Sequence, residues 1–218
     1  MRTYRQSKFI SYFVKITGFP PAWLFLKPKF YYESKTSGKL PKPCILASNH
    51  ISLIDMPLYW MRFFGTNMRF LVAEVMFNKN AFMNALLYRT GCIHVDRNVF
   101  DFSFIEDAVD ALDRGESIGI FPSSRLPVDG KPFPFKPSVA IIALHSDAPI
   151  VPCYTDGNYG FKKRAHVMIG DPVTVSDLLG DRENELTEEQ KISIITENLE
   201  KRVYALGDEL KKKLNKEG

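Results

Sequence analysis

Residues 44–55, Cys44-Ile45-Leu46-Ala47-Ser48-Asn49-His50-Ile51-Ser52-Leu53-Ile54-Asp55, decide how this chain is read. The first four form an apolar run with the length of a buried strand. Polar residues follow at once. Asp55 then stands where it can cap a helix carried by Met56, Leu58, Tyr59, Trp60 and Phe63, with Gly65 near its end. Strand, polar turn and helix in that order begin an α/β unit.

The same alternation continues downstream. Residues 69–73 predict a strand, an apolar and aromatic segment around 77–88 a helix, and 92–95 a strand. Phe104, Ile105, Ala108, Val109 and Leu112 keep helical spacing, and Gly115 is placed to end that helix. Residues 118–121 predict a strand, 122–137 a turn-rich loop, 139–144 a helix, and 150–154 and 166–169 two more strands. At the end Thr187 and Gln190 form a capping box. Ile192, Ile195, Leu199, Val203, Leu206, Leu210 and Leu214 then recur at steps of three and four. Strands separated by helices predict an α/β fold, a single-domain sandwich of a largely parallel or mixed sheet covered by helices. No repeat or second boundary is visible, so 34–218 reads as one domain.

Upstream, residues 1–33 read as an amphipathic segment. Phe9, Ile10, Phe13, Val14 and Ile16 can line a helical face with Lys8 and Lys15 beside it. Gly18 and Pro20-Pro21 predict the end of that helix, and Ala22-Trp23-Leu24-Phe25-Leu26 restarts an apolar patch between lysines. Aromatic rings next to lysines suit a membrane interface, with rings at headgroup depth and cations on lipid phosphates. The competing reading is a helix folded onto the core.

Composition narrows the partners. The 218 residues are 45% hydrophobic and 25% charged, with a formal net charge of +4. That is a globular composition with a mild basic excess, which suits an anionic lipid surface. No nucleic-acid-binding signature is present. Cys44, Cys92 and Cys153 each sit in an apolar run without metal-ligand spacing and read as buried reduced thiols. No run of about 18 uncharged apolar residues occurs, so no spanning helix is expected. The start of the chain does not read as a signal peptide. The expected location is peripheral, on the cytoplasmic face of a membrane.

Loops at the carboxyl ends of parallel strands build sites, and three polar segments fall there. In the first, Asp55 can reach back to His50, fix its tautomer and raise the basicity of the other ring nitrogen, which makes a general base for a hydroxyl. The alternative is an ordinary polar loop with a capping Asp. In the second, Gly91-Cys92-Ile93-His94-Val95-Asp96-Arg97, the planar fork of Arg97 suits a phosphate; a surface ion pair with Asp96 is the alternative. His94, between two β-branched residues, reads as packed or hydrogen-bonded. The third is Phe121-Pro122-Ser123-Ser124-Arg125 with Phe135-Lys136-Pro137 beyond it. Arg125 and Lys136 bracket the longest loop and can gather two cations around a phosphate, or form a solvated basic loop.

Together these segments resemble the glycerolipid acyltransferase family that includes 1-acylglycerol-3-phosphate acyltransferase, over roughly residues 43–172. Asn49-His50-Ile51-Ser52-Leu53-Ile54-Asp55 looks like its Asn-His-x4-Asp catalytic motif. Residues 91–97 look like the second motif, which ends in Asp-Arg. Residues 121–125 are similar to the third, Phe-Pro-Glu-Gly followed closely by Arg, and Ile150-Val151-Pro152 to the fourth. One His-x4-Asp is weak evidence; four motifs in order are strong.

The resemblance implies roles. His50 would take the proton from an acceptor hydroxyl while Asp55 holds His50. Asn49, Arg97, Ser123, Ser124, Arg125 and Lys136 would contact the substrate, the arginines at the acceptor phosphate. The acyl donor would be acyl-CoA or acyl carrier protein, the acceptor lysophosphatidic acid or a related lysolipid, and no metal or other cofactor would be needed. Where the family has Glu-Gly, this chain has Ser123-Ser124. The change removes a carboxylate and adds a side chain where the backbone turns. Two rival readings follow from it: a lipid-binding protein of weak or no activity, and an acyltransferase for a different acceptor. A His/Asp metal hydrolase using His50, Asp55, His94 and Asp96 is a further alternative.

Overall fold

The alternation of apolar residues sets the layers. The computed structural model describes residues 8–96, 102–160 and 162–217. Its strands are β1 (Lys29–Tyr32), β2 (Ile45–Ser48), β3 (Met68–Ala73), β4 (Ile93–Val95), β5 (Ser117–Ile120), β6 (Ile150–Thr155) and β7 (His166–Ile169). They form one sheet in the order β1-β7-β6-β2-β5-β3-β4. All pairings are parallel except that between β6 and β7. The mixed, mostly parallel sheet agrees with the sequence reading.

Side chains alternate faces with period two. In β2, Ile45 and Ala47 face one side while Leu46, with the preceding Cys44, faces the other; all four are fully buried. The first face is covered by α5 (Ser103–Asp113), α6 (Ser138–Ser146), α7 (Val175–Leu179) and α8 (Glu188–Glu217). The second is covered by α1 (Lys8–Leu26), α2 (Asp55–Arg62), α3 (Glu74–Phe77) and α4 (Ala81–Thr90). The cysteines are free and buried, as expected. Burial pushes the Cys44 and Cys92 thiols up to about 11.

Helix ends follow local chemistry. Thr187 and Gln190 make the predicted reciprocal bonds, Thr187 N to Gln190 Oε1 at 2.9 Å and Gln190 N to Thr187 Oγ1 at 3.3 Å. The stripe Ile195, Leu199, Val203, Leu206 and Leu210 is buried along α8. The segment predicted as one helix around 77–88 is two, because Asn80 caps α4 by accepting from Met83 N at 2.8 Å. The short helix α7, with Thr174 and Asp177 in a capping box, was not expected.

The amino-terminal segment differs most from expectation. The helix does not stop at Gly18 or at Pro20-Pro21: α1 runs through both prolines to Leu26. Tertiary packing outweighs the broken backbone bonds. Ser11, Lys15 and Leu26 are buried, and Phe19 and Ala22 pack on the core, which makes a stripe at helical steps. Lys15 is therefore not an outward-facing cation. Its Nζ donates to the carbonyls of Phe64 at 3.3 Å and Thr66 at 3.4 Å, and burial lowers its pKa. The large apolar side chains point the other way: Phe9, Tyr12, Phe13, Ile16, Trp23, Leu24 and Phe25 are exposed. Within the segment read as 1–33, Lys29–Tyr32 forms β1 and pairs in parallel with β7 as an edge of the sheet. Among the described residues no helix is long and apolar enough to cross a membrane.

Candidate active site

Because β2, β5 and β6 are parallel neighbours, their carboxyl ends open on the same side. Residues 49–55, 121–125 and 156–159 leave the sheet there.

The turn after β2 closes on Asp55. Oδ2 lies 2.8 Å from His50 Nδ1 and accepts from the backbone N–H of Ile51 at 2.7 Å and Ser52 at 2.9 Å. Asp55 thus does not cap its own helix, as the sequence suggested. Its carboxylate turns back onto the preceding loop, whose N–H groups it satisfies, and it is fully buried. The His50 side chain remains 15% exposed. A buried carboxylate at Nδ1 favours the tautomer with the proton there, so Nε2 carries the lone pair.

The other oxygen of Asp55 has a partner that sequence reading missed. Tyr159, in the connection between β6 and β7, donates its hydroxyl to Oδ1. Thr155 Oγ1 lies 2.9 Å from the same hydroxyl. Burial, and then the negative charge of Asp55, push the Tyr159 hydroxyl far above the usual tyrosine range, so it stays a donor. No local pattern reveals this contact, since the two residues are 104 apart in the chain.

An aromatic stack supports the imidazole. His50 lies on Phe121 with centroids 4.4 Å apart and planes 15° apart, and Phe121 stacks on Phe70 at 5.8 Å and 21°. Gly119 makes room: a Cβ there would stand 2.3 Å from the Phe70 ring. Gly157, at φ +70°, plays the same part in the β6–β7 connection, where a Cβ would meet Ile51 at 2.6 Å.

The remaining expected residues are distributed as follows. Asn49, read as a substrate contact, is buried and turned into the sheet. Its amide donates to Thr155 O at 2.9 Å and its oxygen accepts from Thr155 N at 2.8 Å, clamping the end of β2 to β6. Ser123 is buried and donates to Arg125 O at 3.3 Å; Ser124 donates to Pro122 O at 3.4 Å. Ser124 sits at φ +58°, the left-handed region, which costs a residue with a Cβ about 1–2 kcal/mol. This is the position of the family's glycine.

Arg125 is exposed, its guanidinium 5.7 Å over the Phe133 ring. Lys136 is exposed, and its backbone N–H donates to Pro122 O at 2.9 Å, holding it beside the same loop. Arg97 lies outside the described residues. His94 packs edge-on against Phe77 at 4.8 Å, the packed histidine expected.

Fold and geometry together define an α/β protein with a histidine–carboxylate pair at its strand ends. Residues 32–156 match the family model described as Acyltransferase, more than half of the chain, and the chain belongs to the acyltransferase family. It is 25% identical over 171 residues to the 1-acyl-sn-glycerol-3-phosphate acyltransferase of Bacillus subtilis (strain 168), covering 76% of this chain and 82% of that protein. The crystal structure of the 1-acyl-sn-glycerophosphate (LPA) acyltransferase PlsC from Thermotoga maritima has the same fold, with a TM-score of 0.64 at 20% identity. The match covers 92% of this chain and 80% of that one.

Proposed function

We propose that this acyltransferase moves a fatty acyl group from the thioester of acyl-CoA or acyl carrier protein to the free hydroxyl of lysophosphatidic acid or a related lysolipid, a step of phospholipid biosynthesis. The observation that carries the reading is the His50–Asp55 pair at 2.8 Å over the strand ends. His50 Nε2 takes the hydroxyl proton as that oxygen attacks the thioester carbonyl. The C–S bond breaks, an ester forms, and the proton passes from His50 to the departing thiolate. No acyl-enzyme is required. A positioned general base of this kind contributes about 10² to 10⁴-fold in rate.

Asp55, held by two backbone N–H groups and by Tyr159, keeps the imidazole in register and stabilises its charged form. Arg125, with Lys136 on the same loop and Arg97, binds the acceptor phosphate. The names of the Bacillus subtilis and Thermotoga maritima relatives support that acceptor. The exposed aromatic face of α1 supports docking at a membrane surface, and the reading places that docking on the cytoplasmic face.

Ser123 and Ser124 favour a second reading, an acyltransferase whose acceptor carries a different headgroup. The experiment is an assay of purified protein with acyl-CoA against a panel of lysolipids, reading thiol release and lipid product together. Product on lysophosphatidic acid supports the first reading. Product on another headgroup alone supports the second, and thiol release without any lipid product contradicts both.

A further inference from the structure

Two chain segments far apart in sequence meet at one corner beside the site. The N–H of Ala165 donates to Leu26 O at 3.1 Å, and the N–H of Lys29 donates to Ala165 O at 2.8 Å. These bonds splice the last turn of α1 to the end of the β6–β7 connection. Lys29 pairs with His166 at the start of both strands. β7 begins where β6 ends, so the corner lies at the end of the sheet that carries His50.

The surface of this corner has two parts. Trp23, Leu24 and Phe25 are exposed at 50%, 67% and 42%. Beside them stand the exposed Lys27, Lys162, Lys163 and Arg164, with the half-buried Lys29. Residues 23–32 and 157–165 carry five cations and no Asp or Glu, whereas the whole chain has a net charge of only +4. Apolar rings rimmed by cations complement a bilayer that contains anionic phospholipid: the rings enter the headgroup layer while the cations meet its phosphates. An acidic protein surface would match the cations and leave the tryptophan and its neighbours in water.

We infer that the last turn of α1 and residues 162–164 form one docking surface for anionic bilayers, and that the β6–β7 connection is as much a part of it as the helix. The inference rests on the reading that the acceptor is a membrane lipid. The same connection carries Tyr159 and Gly157, so docking holds the His50–Asp55 end of the sheet toward the lipid.

The test is flotation of the full chain with vesicles of phosphatidylcholine alone and of phosphatidylcholine with phosphatidylglycerol. At about one kcal/mol per cation near the surface, Lys162→Gln/Lys163→Gln/Arg164→Gln weakens partition onto the anionic vesicles at least tenfold. Lys201→Gln/Lys212→Gln/Lys216→Gln, the same charge change on α8, leaves it unaltered. Trp23→Ala/Phe25→Ala weakens binding to both kinds of vesicle. Turnover of a soluble short-chain lysophospholipid by the 162–164 variant stays at the wild-type value. If the wild-type protein has no such turnover, the functional reading fails while the docking result stands by itself. Wild-type partition in the 162–164 variant, or an equal loss in the α8 variant, overturns the inference. So does unchanged partition with loss of turnover on acyl carrier protein alone, which assigns the cations to that donor.

Discussion

Tyr159 donates a hydrogen bond to the Oδ1 oxygen of Asp55 across 104 residues of chain, while His50 and two backbone N–H groups share Oδ2. A buried carboxylate is tolerated when its lone pairs are occupied. Tyr159 is thus a positioning residue for Asp55, and through it for His50.

Tyr159→Phe removes that donor and leaves Oδ1 without it, at a cost of about 1–3 kcal/mol. The expected outcome is a thermal midpoint lowered by several degrees, kcat reduced about tenfold and acceptor KM little changed. Steady-state kinetics on a folded variant check this. A lowered midpoint with kcat equal to wild type assigns Tyr159 a packing role only.

Gly119 and Phe70 make a second dependence. A Cβ at 119 would stand 2.3 Å from the Phe70 ring, and that ring supports Phe121 under His50. Gly119→Ala is expected to lose about 1–3 kcal/mol of stability through overpacking and to lower kcat more than KM. Chemical denaturation and steady-state kinetics measure both, and unchanged values of each would show that the stack yields without consequence.

The Ser123-Ser124 turn predicts a gain. Ser124 holds the left-handed backbone at φ +58° that suits glycine, and no carboxylate stands at 123 to orient Arg125. Ser123→Glu with Ser124→Gly is expected to raise turnover on lysophosphatidic acid at least tenfold, about 1.4 kcal/mol of barrier. If the serines serve another acceptor, the same double change lowers activity on that acceptor. The lysolipid panel distinguishes these outcomes, and an unchanged profile removes the loop from acceptor handling.

Alkaline pH should loosen the fold. Burial raises the Cys44 and Cys92 thiols to about 11, above the roughly 8.5 of an exposed thiol. In the unfolded chain these groups lose their protons first, so raising the pH favours unfolding. The contribution is intact below about pH 8.5 and declines as pH climbs toward the folded value of about 11. The urea midpoint is expected to fall over that window, and less steeply in Cys92→Ala. A midpoint independent of pH there contradicts the assignment.

Local pattern carried the sheet order's ingredients but not its edges. The period-two faces of β2 and the stripe of α8 were legible because burial writes them directly into neighbouring residues. β1 was not, since Lys29-Phe30-Tyr31-Tyr32 alternates no more clearly than an interfacial segment and becomes a strand only by pairing with β7. The continuation of α1 through Pro20-Pro21 also depends on tertiary packing, which no local propensity reports. At the site, His50 and Asp55 were legible because five residues separate them. Tyr159 and the Thr155 clamp on Asn49 were not, because strand register alone brings them together.

The central claim is that His50 is the base. It is tested most directly by measuring thiol release and lysolipid acylation by His50→Ala beside its thermal midpoint. The expected result is a loss of about 10² to 10⁴-fold in turnover, with the midpoint close to wild type because the ring is partly exposed and Asp55 still holds the turn through the backbone N–H groups of Ile51 and Ser52. A folded His50→Ala protein that acylates the acceptor at the wild-type rate contradicts it.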